Sequence, residues 1–429
     1  MATSLGNGSL HVMAALEHGH HFDSLLSLSQ RLAAGHKVRV ITLGGSVPYG
    51  NNCVRPNGDH HRACSWPARL IRQLRTAFVH STITHENLAS GGNGVVHILS
   101  TLGIVLRERT DLILLDSLVN DAWRSGSVQA SQALEALIRT VKSLAPAASL
   151  LVVEAAAPGL GDEVQREKRK VLEHYRIATL DWKAAAARDP TLWRPGPIAG
   201  TTATDINHPS WETHQMIANQ IGVLWGRVIR RRSCRRSVAG RAHPLPSKVE
   251  AALGAAFLPG GWWPLTPLWR ADQLMNFDVC LAPLSVHTSA ATLGDQPVGG
   301  APLSMRGWRY GADRPNKYGW IAEDVGATIT FELRFGTAPR FCLTYLRSYE
   351  MVGRAVLSIP SLHYSVIIDA LWTDRASQND VLWFGTTPGH DTTISYNTHH
   401  VPGLLPNTTH TLEVRLLTTK FKIVQLISC

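Results

Sequence analysis

An aspartate and a histidine stand three residues apart near the middle of the chain, in the segment Asp205-Ile-Asn-His208-Pro. At this spacing the carboxylate can hold the imidazole ring through Nδ1 and leave Nε2 free. A histidine held in this way can act as a general base that takes a proton from a hydroxyl nucleophile. The pair therefore predicts nucleophilic catalysis, with a serine as the third member.

The candidate nucleophile is Ser46, which follows Gly44 and Gly45 directly after the apolar stretch 37–43. Glycines allow a sharp turn and a close approach of substrate to the backbone. A serine on such a turn, at the carboxyl end of a parallel strand, lies where open α/β sheets place their active sites. Because no Gly-Lys-[Ser/Thr] sequence follows, the turn is not predicted to be a phosphate loop.

Two further segments carry groups that could face the same sheet edge. A second glycine turn, Asn87-Leu-Ala-Ser-Gly-Gly92, precedes a helix-like stretch. Asn120 follows the apolar run 111–116 and could point its amide at that edge. The nearby Asp116 and Asp121 are expected to be turn or helix caps. The order Ser, Gly, Asn and Asp-x-x-His is much rarer by chance than any one of its pieces.

The segments that must position these residues alternate between strand and helix. Apolar runs of strand length occur at 37–43, 111–116, 149–156 and 177–182, and helix-length segments occur at 21–36, 65–79, 94–107, 126–143 and 162–175. Such alternation predicts βαβ units and a parallel sheet that is covered on both faces. A strongly helical segment follows His208 and would close this α/β domain near residue 230.

The second half of the chain has a different pattern. Residues 227–237 contain six arginines, and a proline-containing linker follows. Beyond residue 250 the chain has β-rich segments separated by Gly, Pro and Asn, at 327–335, 340–348, 355–359, 364–372 and 410–417. Short strands with turn signals predict an all-β sandwich. We therefore expect an N-terminal extension and helix (1–36), a catalytic domain (37–230), an Arg/Pro-containing linker (231–250) and a β-sandwich accessory domain (251–429).

These motifs resemble those of the SGNH (GDSL-like) hydrolase superfamily over about residues 37–230, in the Gly-Gly-Ser form of algal and plant-like members. The resemblance implies a flavodoxin-like, three-layer αβα fold. It also implies that Ser46 is the nucleophile, that His208 is its base and that Asp205 orients the base. The accessory domain resembles the C-terminal region of such proteins only vaguely.

The resemblance further implies an oxyanion hole. Its donors would be the backbone N–H groups of Ser46 and Gly92 and the side-chain amide of Asn120. One such donor typically contributes about 3 kcal/mol to the stabilisation of the transition state. The sequence departs from the family pattern at two positions, because Gly45 replaces the Asp of Gly-Asp-Ser and Leu118 stands where many members have glycine.

The predicted reaction is hydrolysis of an acyl ester, for example an acetyl ester on carbohydrate, by an enzyme that needs no cofactor. With a sugar hydroxyl in place of water, the same residues would make an O-acyltransferase. From a different class, the chain could be a non-catalytic carbohydrate-binding or cell-surface protein that retains the fold. The expected partner is a small-molecule or glycan ester, with polysaccharide binding through the C-terminal domain as a further possibility. Tryptophans of the second half could stack on sugar rings or pack in a core: Trp262, Trp263, Trp269, Trp308, Trp320, Trp372 and Trp383.

Other reactive residues have competing interpretations. Cys53 and Cys64 are close enough in sequence to form a disulfide, but they could equally be two free thiols. His60 and His61 lie between them without the spacing of metal ligands, so no metal site is predicted. His214 is expected to face the closing helix.

The overall composition excludes several classes of protein. Of the 429 residues, 44% are hydrophobic and 17% are charged, which is typical of globular domains. The sequence contains no uncharged apolar stretch of about 18 residues, so it predicts no membrane span. The net charge of +10 is concentrated in the arginine block, which has few interleaved aromatics and does not predict nucleic-acid binding. Sequons at Asn7 and Asn407 favour a secretory or extracellular location, although the N-terminus has no clear signal peptide.

Overall fold

A computed structural model of the chain describes residues 24–56, 58–106, 109–124, 126–198, 201–239, 268, 283–288, 297–314, 317–373, 377–386 and 398–429. The chain divides into two compact units, one of residues 1–95 with 108–270 and the other of residues 96–107 with 271–429. Most of the predicted N-terminal extension and of the predicted linker lies outside the described residues. Among the described helices, none has the length and apolar composition needed to cross a membrane.

The first unit contains a five-stranded parallel sheet. Its strands are β1 (Val38–Gly44), β2 (Ile83–Asn87), β3 (Leu112–Asp116), β4 (Ser149–Val153) and β5 (Ala178–Leu180). They lie in the order β2-β1-β3-β4-β5 and are all parallel. β3 and β4 are buried at every residue, because helices cover both faces of a parallel sheet. The α/β architecture predicted from the sequence is therefore confirmed.

The helices are described by the following bounds. They are α1 (Ser24–Ala33), α2 (Ser46–Tyr49), α3 (Trp66–Ala77), α4 (Val95–Val105), α5 (Leu118–Arg124), α6 (Ser127–Leu144), α7 (Asp162–His174), α8 (Trp182–Arg188) and α9 (Trp211–Ala239), with 3₁₀ turns at His61–Ala63, Pro190–Leu192 and Pro360–Leu362. The apolar core of the first unit includes the fully buried side chains of Trp66 and Trp182. This core lets the helices hold the sheet edge that carries the candidate site.

Helix α4 has an unusual place, because its residues from Val96 onward belong to the second unit. In that unit Ser100 Oγ accepts a hydrogen bond from Gln425, and Ile104 packs against a cluster that includes the free, buried Cys342. The sequence of α4 is apolar on all sides apart from a few polar residues. A helix of this kind is typical of buried positions.

Asp205 and His208 lie on a separate pair of short antiparallel strands. The two strands are β6 (Pro195–Pro197) and β7 (Thr204–Pro209). Helix α9 begins at Trp211, immediately after β7. The dyad is therefore placed by this strand pair, whereas Ser46 is placed by the parallel sheet.

The second unit is β-rich, as predicted. Its strands are β8 (Ser285–Thr288), β9 (Val298–Gly299), β10 (Ser304–Arg306), β11 (Trp308–Arg314), β12 (Lys317–Ala322), β13 (Thr328–Arg334), β14 (Arg340–Arg347), β15 (Arg354–Ile359), β16 (Tyr364–Asp369), β17 (Gln378–Gly385), β18 (Thr398–His400), β19 (Thr409–Leu416) and β20 (Phe421–Ser428). One sheet has the order β10-β13-β19-β15-β16, and the other has the order β11-β12-β20-β14-β17-β18 with β8 paired to β20 and to β9. Residues from both sheets form one apolar core, as in a β-sandwich.

The tryptophans of this unit that the structure describes are mostly core residues. Trp308, Trp320 and Trp383 are buried. Trp372 is half-buried, and the guanidinium of Arg347 lies over its ring at 4.4 Å. Trp262, Trp263 and Trp269 lie outside the described residues. Three of the described rings therefore have no face that a sugar could reach.

Candidate active site

Ser46 begins helix α2 directly after β1, on a turn that requires glycine. Gly44 has a φ of +153°, and a Cβ atom there would overlap the carbonyl oxygen of Asp116. Gly45 N–H donates to that same oxygen at 3.0 Å, so the end of β1 is tied to the end of β3. The Ser46 side chain is 3% exposed, and its Oγ has no hydrogen-bond partner among the described residues. The turn thus presents an uncommitted hydroxyl at the carboxyl edge of the sheet.

Asn120 lies on the first turn of α5, against the nucleophile turn. Its Oδ1 accepts a hydrogen bond from the backbone N–H of Ser46 at 3.2 Å. A Cβ atom at Gly45 would overlap this same Oδ1. The space that a side chain at position 45 would need is therefore filled by Asn120, which gives a physical reason for Gly-Gly-Ser in place of Gly-Asp-Ser.

Gly92 lies in the loop before α4, with a φ of +87° that favours glycine. The loop is linked to the Asn120 segment through Asp121, whose Oδ1 accepts the N–H of Val95 at 2.7 Å. Asp121 therefore caps α4, a helix other than its own. Asp121, the residue after Asn120, thus holds the start of α4, three residues after Gly92.

A buried ion pair holds that carboxylate in place. Asp121 Oδ2 lies 2.6 Å from Lys168 Nζ, and both side chains are 1% exposed. Ser117 Oγ donates to the same oxygen at 2.8 Å, and Lys168 Nζ also donates to Ser117 Oγ. These hydrogen bonds and the opposite charges offset part of the cost of burying the groups.

Asp205 and His208 form a hydrogen-bonded dyad. His208 Nδ1 donates to Asp205 Oδ2 at 2.5 Å, and Asn207 N–H donates to Asp205 Oδ1 at 2.9 Å. Burial by itself would raise the pKa of Asp205, but the hydrogen bond and charge of His208 outweigh it and lower that pKa below its usual value. The carboxylate is therefore charged at neutral pH and holds the ring through Nδ1, which leaves Nε2 as the basic atom.

The serine and the dyad are adjacent, but no hydrogen bond joins them. Helix α2 contacts strand β7, and Asn51 lies between the two. Its N–H donates to Ser46 O at 3.0 Å, whereas its Nδ2 lies 3.5 Å from His208 Nε2. Catalytic hydrogen bonds are often long or misaligned before substrate binds. A Ser46–His208 hydrogen bond would require these two side chains to come closer than they are in this structure.

The segment after the nucleophile is closed by a disulfide between Cys53 and Cys64. Both cysteines are fully buried. Arg69 Nε donates to the carbonyl oxygen of Cys64 at 2.6 Å, which ties the ring to helix α3. His60 and His61 lie within this ring, and the described residues contain no group of side chains able to hold a metal ion.

The remaining candidate groups have structural contacts. His214 is fully buried, and its Nδ1 accepts the N–H of Trp66 at 3.2 Å. Burial, with the charges of Arg69 and His208, lowers the pKa of His214 to about 3, so this ring is neutral. Asp116 accepts a hydrogen bond from the Trp66 indole, and burial raises the pKa of Asp116 well above its usual value.

Two-domain proteins with this fold are known. The chain is similar to a two-domain esterase (CEX) active on acetylated mannans and co-crystallised with mannopentaose, with 17% identity, a TM-score of 0.59, and coverage of 95% of this chain and 94% of that one. A second structure of that esterase gives the same identity and TM-score. An acetylxylan esterase (Axe2) from Geobacillus stearothermophilus is 17% identical with a TM-score of 0.34, over 42% of this chain and 91% of that one. A comparison with the curated proteins found no match.

The α/β region also matches a family. Residues 42–216 match the GDSL-like Lipase/Acylhydrolase family, and this range contains every residue of the candidate site. The similarity to the two-domain esterase shows the fold. Over residues 42–216, the α/β region of this chain is therefore similar to the GDSL-like Lipase/Acylhydrolase family.

Proposed function

We propose that the chain is a serine esterase that removes acyl groups, acetyl in particular, from a carbohydrate. Ser46 is its nucleophile and His208 is its general base. Asp205 orients the base and stabilises the positive charge that the ring gains. The observation that carries the proposal is the 2.5 Å hydrogen bond between His208 Nδ1 and Asp205 Oδ2, on a strand that adjoins the helix beginning at Ser46.

The proposed reaction proceeds in two steps. Ser46 Oγ attacks the ester carbonyl carbon while His208 Nε2 takes its proton, and the leaving alcohol takes that proton when the C–O bond breaks. Water then attacks the acyl-enzyme, with His208 again as the base, and releases the acid. Asp205 stabilises the positive charge that the ring carries in each step.

Three donors are proposed for the oxyanion. They are the Asn120 side-chain amide and the backbone N–H groups of Gly92 and Ser46. Because Ser46 N–H donates to Asn120 Oδ1, this N–H must be shared with the substrate oxygen or released to it. Because Asn120 Oδ1 accepts that bond, Nδ2 is the atom of this amide that can donate, and it is the donor we expect to contribute most.

The carbohydrate substrate is proposed from the fold relatives. The two-domain relative is an esterase active on acetylated mannans. The family match favours water over a sugar as the acyl acceptor, because the family is one of acylhydrolases. The retained Ser, His and Asp favour an enzyme over a non-catalytic binding protein.

The test is hydrolysis of p-nitrophenyl acetate and of acetylated mannan and xylan by purified wild type and Ser46→Ala. We expect acetate release by the wild type and a loss of at least about 10⁴-fold for Ser46→Ala. Ser365→Ala, an exposed serine in β16, is the matched control and should retain full activity. Equal rates for Ser46→Ala and wild type would contradict the assignment. Sugar ester formation that outpaces hydrolysis would show an acyltransferase instead.

Polysaccharide binding through the C-terminal domain is a separate proposal. Its support is the two-domain fold shared with an esterase that was crystallised with an oligosaccharide. Among the described tryptophans of the second unit, Trp372 is the one that is not buried, and the guanidinium of Arg347 lies over its ring. Retardation of the full chain in gels that contain acetylated mannan tests this proposal. Trp372→Ala should reduce retardation, and equal migration with and without polysaccharide would contradict it.

A further inference from the structure

Asn52 is a polar residue beside the dyad to which the sequence motifs assign no role. We propose that Asn52 is a positioning residue for the reaction. Its amide holds the carboxylate of Asp205, and this carboxylate in turn holds His208. The inference rests on the proposed ester hydrolysis and adds a fourth residue to the set that begins with Ser46.

Three donors fix the carboxylate of Asp205. Asn207 N–H donates to Oδ1 at 2.9 Å. His208 Nδ1 and Asn52 Nδ2 both donate to Oδ2, at 2.5 Å and 3.1 Å. A carboxylate held at both oxygens cannot rotate about its Cβ–Cγ bond without losing a charge-assisted hydrogen bond. Asn52 therefore helps to keep Oδ2 directed at the imidazole ring.

Asn52 is itself held by its neighbours in the chain. Its φ of +58° lies in the left-handed region, which Asn adopts more readily than most residues. The next residue, Cys53, forms the disulfide with Cys64. The preceding residue, Asn51, donates its N–H to the carbonyl oxygen of Ser46. The segment that carries the nucleophile thus also places the amide that holds the dyad.

Strand β6 has a residue that permits this close approach. A Cβ atom at Gly196 would lie 2.8 Å from the carbonyl oxygen of Asn52 and 3.0 Å from that of His208. Backbone atoms cannot yield to a side chain at such distances, so glycine is required here. The Asn52–Asp205 contact joins residues 153 positions apart. The left-handed backbone of Asn52 and the glycine at position 196 both permit it.

The hydrogen bond from Asn52 also affects charge. It draws negative charge from Oδ2, the oxygen that stabilises the positive charge on the ring during proton transfer. Without the amide, this oxygen would stabilise a protonated ring more strongly. We therefore expect the acid limb of the rate profile to change when Asn52 is replaced. A residue that only folded the loop would change stability without changing this pH dependence.

The variant Asn52→Gly tests the proposal, because glycine accepts the left-handed backbone and removes only the amide. Asn407→Gly is the matched control, since Asn407 has a φ of +56° in the second unit. Initial rates on p-nitrophenyl acetate are measured across pH for both variants and the wild type. For Asn52→Gly we expect kcat to fall about tenfold, KM to change less than about twofold, and the acid limb to shift. A wild-type kcat and pH profile for Asn52→Gly would overturn the proposal.

A second variant tests the proposal if Asn52→Gly does not fold. Asn52→Asp keeps the shape of the side chain and tolerates the left-handed backbone, but it places a second carboxylate against Asp205. Repulsion should lower kcat below that of Asn52→Gly at neutral pH. A rate equal to that of the wild type would again exclude a role for the amide.

A spectroscopic measurement separates this inference from the proposed function. A proton shared in a short imidazole–carboxylate hydrogen bond gives a far-downfield ¹H NMR resonance, which is assigned to His208 by its loss in His208→Gln. We expect this resonance to shift in Asn52→Gly and to stay unchanged in Asn407→Gly. If the wild type hydrolyses no ester, the proposed function fails, while an unshifted resonance in Asn52→Gly overturns the role of Asn52.

Discussion

The nucleophile side of the candidate site is built on the buried edge of a parallel sheet, whereas the base side is built on a short strand pair near the surface. Ser46 is 3% exposed, and the two side chains of the Asp121–Lys168 pair, which holds the start of α4, are each 1% exposed. By contrast, Asp205 and His208 have side chains that are 24% and 20% exposed. The two halves of one site therefore have very different surroundings.

The difference shows how each half is kept in position. Core packing and a buried ion pair hold the first half, so that its geometry depends on the stability of the unit. Hydrogen bonds from Asn52 and Asn207 and the disulfide ring beside them hold the second half. Substitutions in the first half should lower both stability and activity, and substitutions in the second half should lower mainly activity.

The largest expected effect is on the base side. In His208→Ala no group can take the proton from Ser46, and we expect kcat/KM on p-nitrophenyl acetate to fall about 10⁴-fold. Thermal unfolding should be almost unchanged, because the ring is partly exposed and its main contact is with Asp205. His36→Ala, an exposed histidine in the same unit, is the control for rate and stability. If the free energy of unfolding fell by as much as the activation free energy rose, the contrast between the two halves would be wrong.

On the nucleophile side, the largest effect on stability should come from Lys168→Met. This change leaves the Asp121 carboxylate buried without its cation, which typically costs about 3–5 kcal/mol in the free energy of unfolding. Urea denaturation measures the cost. Lys170→Met, on the same helix but exposed and paired with Glu167, should stay within about 0.5 kcal/mol of the wild type. The contrast would fail if both lysine variants had the same stability.

A smaller effect is expected for Gly45→Ala. The added methyl group overlaps Asn120 Oδ1 and must displace the amide from the nucleophile turn. We expect kcat/KM to fall about 10²-fold, the usual effect of losing one oxyanion donor. Gly126→Ala is the control, because a Cβ atom there meets nothing within 4 Å and its φ is −56°. Wild-type activity in Gly45→Ala would show that Asn120 has room to move.

The smallest effect is a dependence of stability on pH. The folded state lowers the pKa of Asp205, so its contribution to stability is present above the ordinary aspartate range and is lost as pH falls through the lowered pKa. Urea denaturation of wild type and Asp205→Asn at several pH values should show a small difference near neutrality that disappears in acid. A difference in the free energy of unfolding that grows toward low pH would contradict a lowered pKa of Asp205.

Local sequence patterns predicted most of the elements that carry the site. β1, β3 and β4 were predictable because strands buried on both faces are nearly continuous apolar runs. β2 was missed, because its sequence ITHEN is polar and its middle residues are only half-buried at the sheet edge. Helix α4 was predicted as a helix, but its grouping with the second unit depends on contacts with residues over 200 positions away, such as Gln425.

The sequence by itself determined the chemical residue types and their order: a serine on a glycine turn, a glycine, an asparagine and an Asp-x-x-His pair. Only the tertiary structure decided how these are supported, through the contact of Asn52 with Asp205 and the contact of Lys168 with Asp121. The physical reason is that such contacts join side chains that are far apart in sequence and have no periodic pattern. The spacing of a motif identifies residues that lie in one local segment. The residues that hold them in position come from distant segments, and only the fold shows which of these lie together.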